Sequence, residues 1–148
     1  LENIMKITDY IQYIMGIIGG FVGWFFGGFD LAIILLIVFI VIDYISGVAS
    51  AYVNKTLSSS VGFKGIVKKI LIFLLVGMGH ILDITVLGEG EMIRTAVIFF
   101  YVANEGLSIL ENCASLSLPI PEVLKKALAK ITEQNDPESE IEKDEDNQ

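Results

Sequence analysis

The sequence predicts an all-α integral membrane protein. Four transmembrane helices are expected, or three if the first segment only lies on the bilayer, followed by a short amphipathic helix and a disordered acidic tail. Three observations carry that expectation. Of 148 residues, 53% are hydrophobic and 19% charged, and the mean hydropathy is +0.67, whereas a soluble domain of this length needs charge spread over its surface. The apolar residues gather into runs close to the roughly 20 that a spanning helix requires. The charges are bunched: residues 1–132 hold nine bases and ten acids, and residues 133–148 hold eight acids against Lys143. That tail carries −7 of the formal −8.

The first apolar segment, Tyr10–Phe29, is interrupted only by Gln12 and is dense in glycine. It is longer than the apolar core of a secretory signal, and no A-x-A-like cleavage site follows. The chain begins at Leu1, and Met5-Lys6 reads as an internal start. Gly16 pairs with Gly20 at helical spacing, and Gly19, Gly23 and Gly27 form a second row. Small residues every fourth position let membrane helices approach closely. The plainer reading is a weakly helical segment, because glycine costs about 1 kcal/mol per residue against alanine.

The second segment, Leu31–Val53, has one charge, Asp43. Its fourteen Leu, Ile, Phe and Val residues each contribute about −0.3 to −0.6 kcal/mol on the insertion scale, which outweighs roughly +2.5 to +3.5 for one aspartate. It should insert. Asp43, Gly47 and Ala51 lie in one row beside Ser46, Ser50 and Asn54, so this face should meet another helix or a water-filled space.

The connection Asn54–Lys69 carries Lys55, Lys64, Lys68 and Lys69. Such a loop stays cytoplasmic and suits anionic headgroups. Its spacing is not that of a P-loop. The serines at 58–60 should cap the third helix, with Gly62 and Gly65 making the turn. The third segment, Ile70–Leu87, contains His80 and Asp83, which are three apart and able to hydrogen-bond on one face. The fourth spans about 95–112, where Tyr101, Glu105, Ser108 and Asn112 form a polar stripe widened by Asn104 and Glu111. Four spans then place Lys6 and the C-terminus inside, and Asp30, Glu89, Glu91 and Arg94 outside.

Leu118-Pro119-Ile120-Pro121 marks the exit from the fourth segment. Within residues 119–132, an interfacial stretch, Glu122–Thr132 reads as an amphipathic helix. Leu124, Ala127, Leu128 and Ile131 share one face, with Lys125, Lys126 and Lys130 around the rest. The acidic tail should be solvated and keep the cytoplasmic end soluble.

Several chemistries are poorly served by these residues. One cysteine, Cys113, allows no intrachain disulfide, and one histidine with one cysteine builds no zinc site at known spacings. No basic nucleic-acid footprint is present, and no catalytic or cofactor-binding arrangement is expected. What stands out is a set of ionisable and polar groups inside the apolar segments: Asp43, His80, Asp83, Tyr101, Asn104, Glu105, Ser108 and Asn112. Such groups line a polar interface or lumen, or they are hydrogen-bonding partners that hold a bundle together.

In order along the chain, several motifs resemble a known family. They are Gly19-Gly20-Phe21-Val22-Gly23-Trp24-Phe25 with Gly27-Gly28, Asp43-Tyr44-Ile45-Ser46-Gly47, and Lys55-Thr56-Leu57-Ser58-Ser59. Val61-Gly62-Phe63-Lys64-Gly65, Lys68-Lys69, Asp83 and Arg94-Thr95-Ala96-Val97 follow. Glu105-Gly106-Leu107-Ser108-Ile109-Leu110-Glu111-Asn112 and Leu118-Pro119-Ile120-Pro121 complete the set, with Ser117 where glycine is expected. From about Ile11 to Ile131 the sequence resembles the toxin-secretion/phage-lysis holins, small bacteriophage holins of Gram-positive hosts. The resemblance implies a protein that accumulates in the host cytoplasmic membrane, oligomerises with copies of itself and opens timed lesions. Through them a cytosolic endolysin, or in some relatives a toxin, would leave. A small transporter or ion-channel subunit is the alternative, and it would show selective or saturable flux; a membrane scaffold would show neither.

Overall fold

The computed structural model describes residues 2–88 and 90–134. Glu89 and residues 135–148, most of the acidic tail, lie outside the described residues. Among the described residues five α-helices follow in order: α1 (Glu2–Phe25), α2 (Leu31–Val53), α3 (Ser59–Leu82), α4 (Met92–Ser115) and α5 (Glu122–Gln134). A π-helical turn, Asp83–Leu87, extends α3. Among the described residues there is no strand. A helix satisfies its own backbone hydrogen bonds, as a segment in lipid must.

Among the described residues, three helices are long and apolar enough to cross a membrane: Leu31–Val53, Gly62–Leu87 and Met92–Ser115. The second and fourth expected segments coincide closely with two of them. The third starts earlier than Ile70. Lysine is a good helix former, so Lys64, Lys68 and Lys69 belong to α3 rather than to a loop, and Gly62 and Gly65 are helical instead of forming the turn. Ser58 does stand at the start, its carbonyl accepting the first helical bond from Gly62 N at 3.1 Å. α1 is not among the three, because Asp9, Gln12 and four glycines dilute its apolar character.

Three helix ends close in the same way. Gly28 N donates to Gly23 O (2.8 Å), Thr56 N to Ala51 O (2.9 Å) and Leu118 N to Cys113 O (3.1 Å). Each closure places one residue in the left-handed region: Gly27 (φ +70), Lys55 (φ +57) and Ser117 (φ +58). Ser117 thus stands where glycine would be unstrained.

The bundle is organised around α4, which packs most extensively on α2, then on α3 and α5. Ile33, Leu36 and Ile40 of α2, Ile72 and Val76 of α3, and Ile98 and Val102 of α4 form one buried cluster. At Gly79 an added Cβ would stand 3.1 Å from Arg94 Cα, so glycine is what lets α3 and α4 approach there. Outward-facing Ile34, Val41, Leu71 and Phe100 remain exposed, as suits contact with lipid.

α1 meets the bundle at its C-terminal end, mainly through α3. The Phe25 ring lies against Gly77, and Phe26 meets Phe73 edge-on at 5.8 Å between centroids. Residues 6–21 are all exposed. α5 folds back along α4. Its Leu128 is buried over Gly106 beside Phe39, while Leu124 and Ala127 of the same face stay exposed.

Candidate functional site

On each of α2, α3 and α4, the spacing that builds the apolar core also points a charge inward at the level just past that core. Ile33, Leu36 and Ile40 are followed at the next helical step by Asp43. Lys69 precedes Ile72 and Val76, and Ile98 and Val102 lead to Glu105. The core therefore gathers three charges at one level. Lys69 Nζ donates to Asp43 Oδ2 at 2.6 Å and to Glu105 Oε2. The Asp43 and Lys69 side chains are 13% exposed and that of Glu105 is 5% exposed. A cluster so buried is tolerated only because the one ammonium is shared between both carboxylates.

Neutral donors complete it. Asn112 Nδ2 donates to Asp43 Oδ1 (3.2 Å) and to Ser46 Oγ (3.0 Å), while Ser46 Oγ donates to the Asp43 carbonyl (3.0 Å). Lower down, Ser115 Oγ donates to Asn112 O at 2.7 Å and lies 2.6 Å from Ser50 Oγ. Since the Ser115 proton is committed to Asn112, Ser50 is the donor in that pair.

α2 and α3 each follow α4 but touch one another little. The result is a cleft of about 650 Å³. α4 supplies its floor through Tyr101, Asn104, Glu105, Ser108, Glu111 and Asn112. Asp43, Gly47 and Ala51 line one wall, and Gly62, Gly65, Lys68 and Lys69 the other. The cleft reaches Leu57, in the loop at the lysine-bearing end of the bundle. Gly47 sits against Asn112, an added Cβ falling 3.5 Å from its Nδ2. Lys55 and Lys64 are exposed at the same end. Lys69 differs from the expectation of a headgroup contact, because its side chain turns into the bundle.

His80 and Asp83 do not join this cluster. Asp83 is fourteen positions beyond Lys69, about 21 Å along the helix at 1.5 Å per residue. Nor do the two bond each other. The Asp83 carboxylate caps α4, accepting from Ile93 N (2.9 Å) and Arg94 N (2.8 Å), which is where the dipole of α4 favours an anion. His80 packs under Gly27, and its Nδ1 is buried with no hydrogen-bond partner among the described residues. Central chemistry on α3 is therefore supplied by Lys69.

At that opposite end lies a second cluster, centred on Arg94, which is fully buried. Nε donates to Phe26 O (2.5 Å) and Nη2 to Gly28 O (3.2 Å), while Nη1 and Nη2 take Asp30 in a fork at 2.7 and 3.2 Å. Glu91 adds a longer contact to Nη1, 3.4 Å. The guanidinium thus ties the α1–α2 turn to the start of α4. Its hydrogen bond holds the Asp30 carboxyl below the ordinary 3.8, against a smaller upward push from burial.

The small-residue rows have different surroundings. Gly16, Gly19, Gly20 and Gly23 have open space above them, whereas Gly27 takes φ +70 in the turn and a Cβ there would fall 2.6 Å from His80 Nδ1. Among the described residues, no group of three or more His, Cys, Asp or Glu is placed to hold a metal ion.

A family model described as the bacteriophage holin family matches residues 20–133. A probable holin of Bacillus phage phi105 is 39% identical over 100 residues, 68% of this chain and 73% of that protein. An uncharacterized protein of Clostridium perfringens is 43% identical over 96 residues, 65% of this chain and 71% of its own. One of Listeria monocytogenes is 53% identical over 90 residues, 60% of this chain. The match spans 63% of the Listeria protein, less than two thirds of its length. No solved structure matches the chain.

Proposed function

This chain belongs to the bacteriophage holin family, and from that membership we propose that it is a holin acting in the bacterial cytoplasmic membrane. Copies accumulate, assemble with one another and open lesions at a set time. A cytosolic endolysin, or an exported toxin, then reaches the cell wall. The observation that carries the reading is the family match over residues 20–133, which takes in α2, α3 and α4.

The structure supports it on three counts. By the positive-inside rule, Lys55, Lys64 and Lys68 favour a cytoplasmic lysine-bearing end, and with that orientation the cleft opens inward and Arg94 stands at the outer side. The open glycine face of α1 offers a seat for a neighbouring copy. Finally, the bundle hides Asp43 and Glu105 from lipid in the single chain, and in a large assembly the same faces can turn toward water. Asp43→Ala should then shift the time of lysis.

The test is induction in a bacterial host with and without a co-expressed endolysin. The reading predicts arrest of growth by the chain alone and abrupt lysis only when the endolysin is present. Tolerated expression with saturable or ion-selective flux would point to a transporter or channel subunit instead.

A further inference from the structure

We propose that Lys69 is the closing element of the cleft. Its tethered ammonium holds α2, α3 and α4 together in the single chain and withdraws from Asp43 and Glu105 when a lesion opens. The withdrawal rests on the holin reading; the closure does not. Two zones join the three helices. In one, the apolar cluster of Ile33, Leu36, Ile40, Ile72, Val76, Ile98 and Val102 is packed shut. Toward the lysine-bearing end this packed cluster stops, and the cleft is walled by Gly47, Gly62 and Gly65, by Val48, Leu57 and Leu107, and by polar side chains. At the border between the zones stands Lys69, the residue of α3 that reaches a carboxylate on each of the other two helices. Where the packed cluster no longer holds α3 to α2, the ion pairs do.

Lysine suits a reversible closure. Its charge sits on a flexible four-carbon stem and can snorkel toward an interface while the stem keeps apolar contact. Gly62, where the span begins, is seven positions away, about 10 Å at 1.5 Å per residue. Neighbouring Lys68 already lies exposed on the cleft rim. Withdrawal of Lys69 would leave Asp43 and Glu105, with Glu111 below, facing the cleft. Without water that arrangement is strongly disfavoured, which keeps the single chain shut. Once assembly admits water, the same carboxylates are solvated.

The experiment uses the full chain with Cys113→Ser and Ala51→Cys, in inverted membrane vesicles, and measures labelling by a membrane-impermeant maleimide. Ala51 lines the cleft two turns beyond Asp43. Lys69→Met should speed labelling by about tenfold or more, since two buried carboxylates lose their counter-charge. Lys69→Arg, which can bridge both carboxylates, should stay within about twofold of the parent. Full neutralisation by Asp43→Asn, Lys69→Met and Glu105→Gln should restore slow labelling. Parent-like labelling of Lys69→Met overturns the closure, as does a fully neutral variant that labels as fast as Lys69→Met. If Lys69→Met fails to accumulate, Asp43→Asn with Glu105→Gln strips the ammonium of its partners instead. Fast labelling then upholds the closure and parent-like labelling overturns it. Fast labelling in a chain that never lyses cells would refute the holin reading alone; lysis with unchanged labelling would refute the closure alone.

Discussion

At Asp30 one carboxylate serves two helices. Oδ1 caps α2 by accepting from Ile33 N at 3.0 Å, and both oxygens take the Arg94 fork. Because its folded value is depressed, the ionised group stabilises the fold above its unfolded value, and that contribution is lost as pH falls through the folded value. Asp30→Asn should therefore lower the unfolding temperature at neutral pH, and the deficit should shrink once the pH drops below about 4. A deficit unchanged in acid would contradict an ionised pair. Asp43, Tyr101, Asn104, Glu105, Ser108 and Asn112 were legible as a group, since polar residues in apolar runs must face one another. Lys69 and Arg94 were not. Each stands near the end of an apolar run and resembles an ordinary flanking charge. The signal that could have found them is spacing: Lys69 is in phase with Ile72 and Val76, and Arg94 with Ile98 and Val102. His80 and Asp83 misled for the converse reason. Their three-residue spacing is compatible with a mutual bond, but the unsatisfied N–H groups at the start of α4 take the carboxylate.

Among the elements, the apolar lengths of α2 and α4 were readable because hydrophobic run length is a direct physical requirement of a span. The start of α3 was not, since a lysine is as compatible with a helix as with a loop and only packing decides. Helix ends were partly visible. The expected glycine at position 117 corresponds to a left-handed residue, φ +58, occupied by serine. Ser117→Gly should raise stability by about 1 kcal/mol, because the left-handed penalty of an L side chain disappears; calorimetry in detergent would show it. The docking of α5 could not be foreseen, as an amphipathic face does not name its partner. Here the partner is the notch at Gly106, where an added Cβ would fall 2.5 Å from Leu128 Cδ2. Gly106→Leu should displace Leu128 and free α5. Trypsin cleavage at Lys125, Lys126 and Lys130 should then accelerate, and an unchanged rate would show that this notch does not hold the helix.

For the molecule as a whole, the bundle has two differently built ends. One is tied by Arg94, Asp30 and Asp83 through short hydrogen bonds to backbone and side chains. The other is opened by a cleft and held by Lys69. A body joined firmly at one end and electrostatically at the other can part at the weaker end while its topology stays intact. Opening should accordingly begin at the lysine-bearing end. Under the proposed function, copies of this chain breach the membrane widely enough for folded protein to pass. Release of a cytosolic reporter enzyme, followed against time after induction and compared with loss of potassium, tests it most directly. A timed lesion gives a silent interval, then abrupt appearance of active enzyme outside cells whose wall has been made permeable. Steady potassium loss with the enzyme retained throughout would contradict that function.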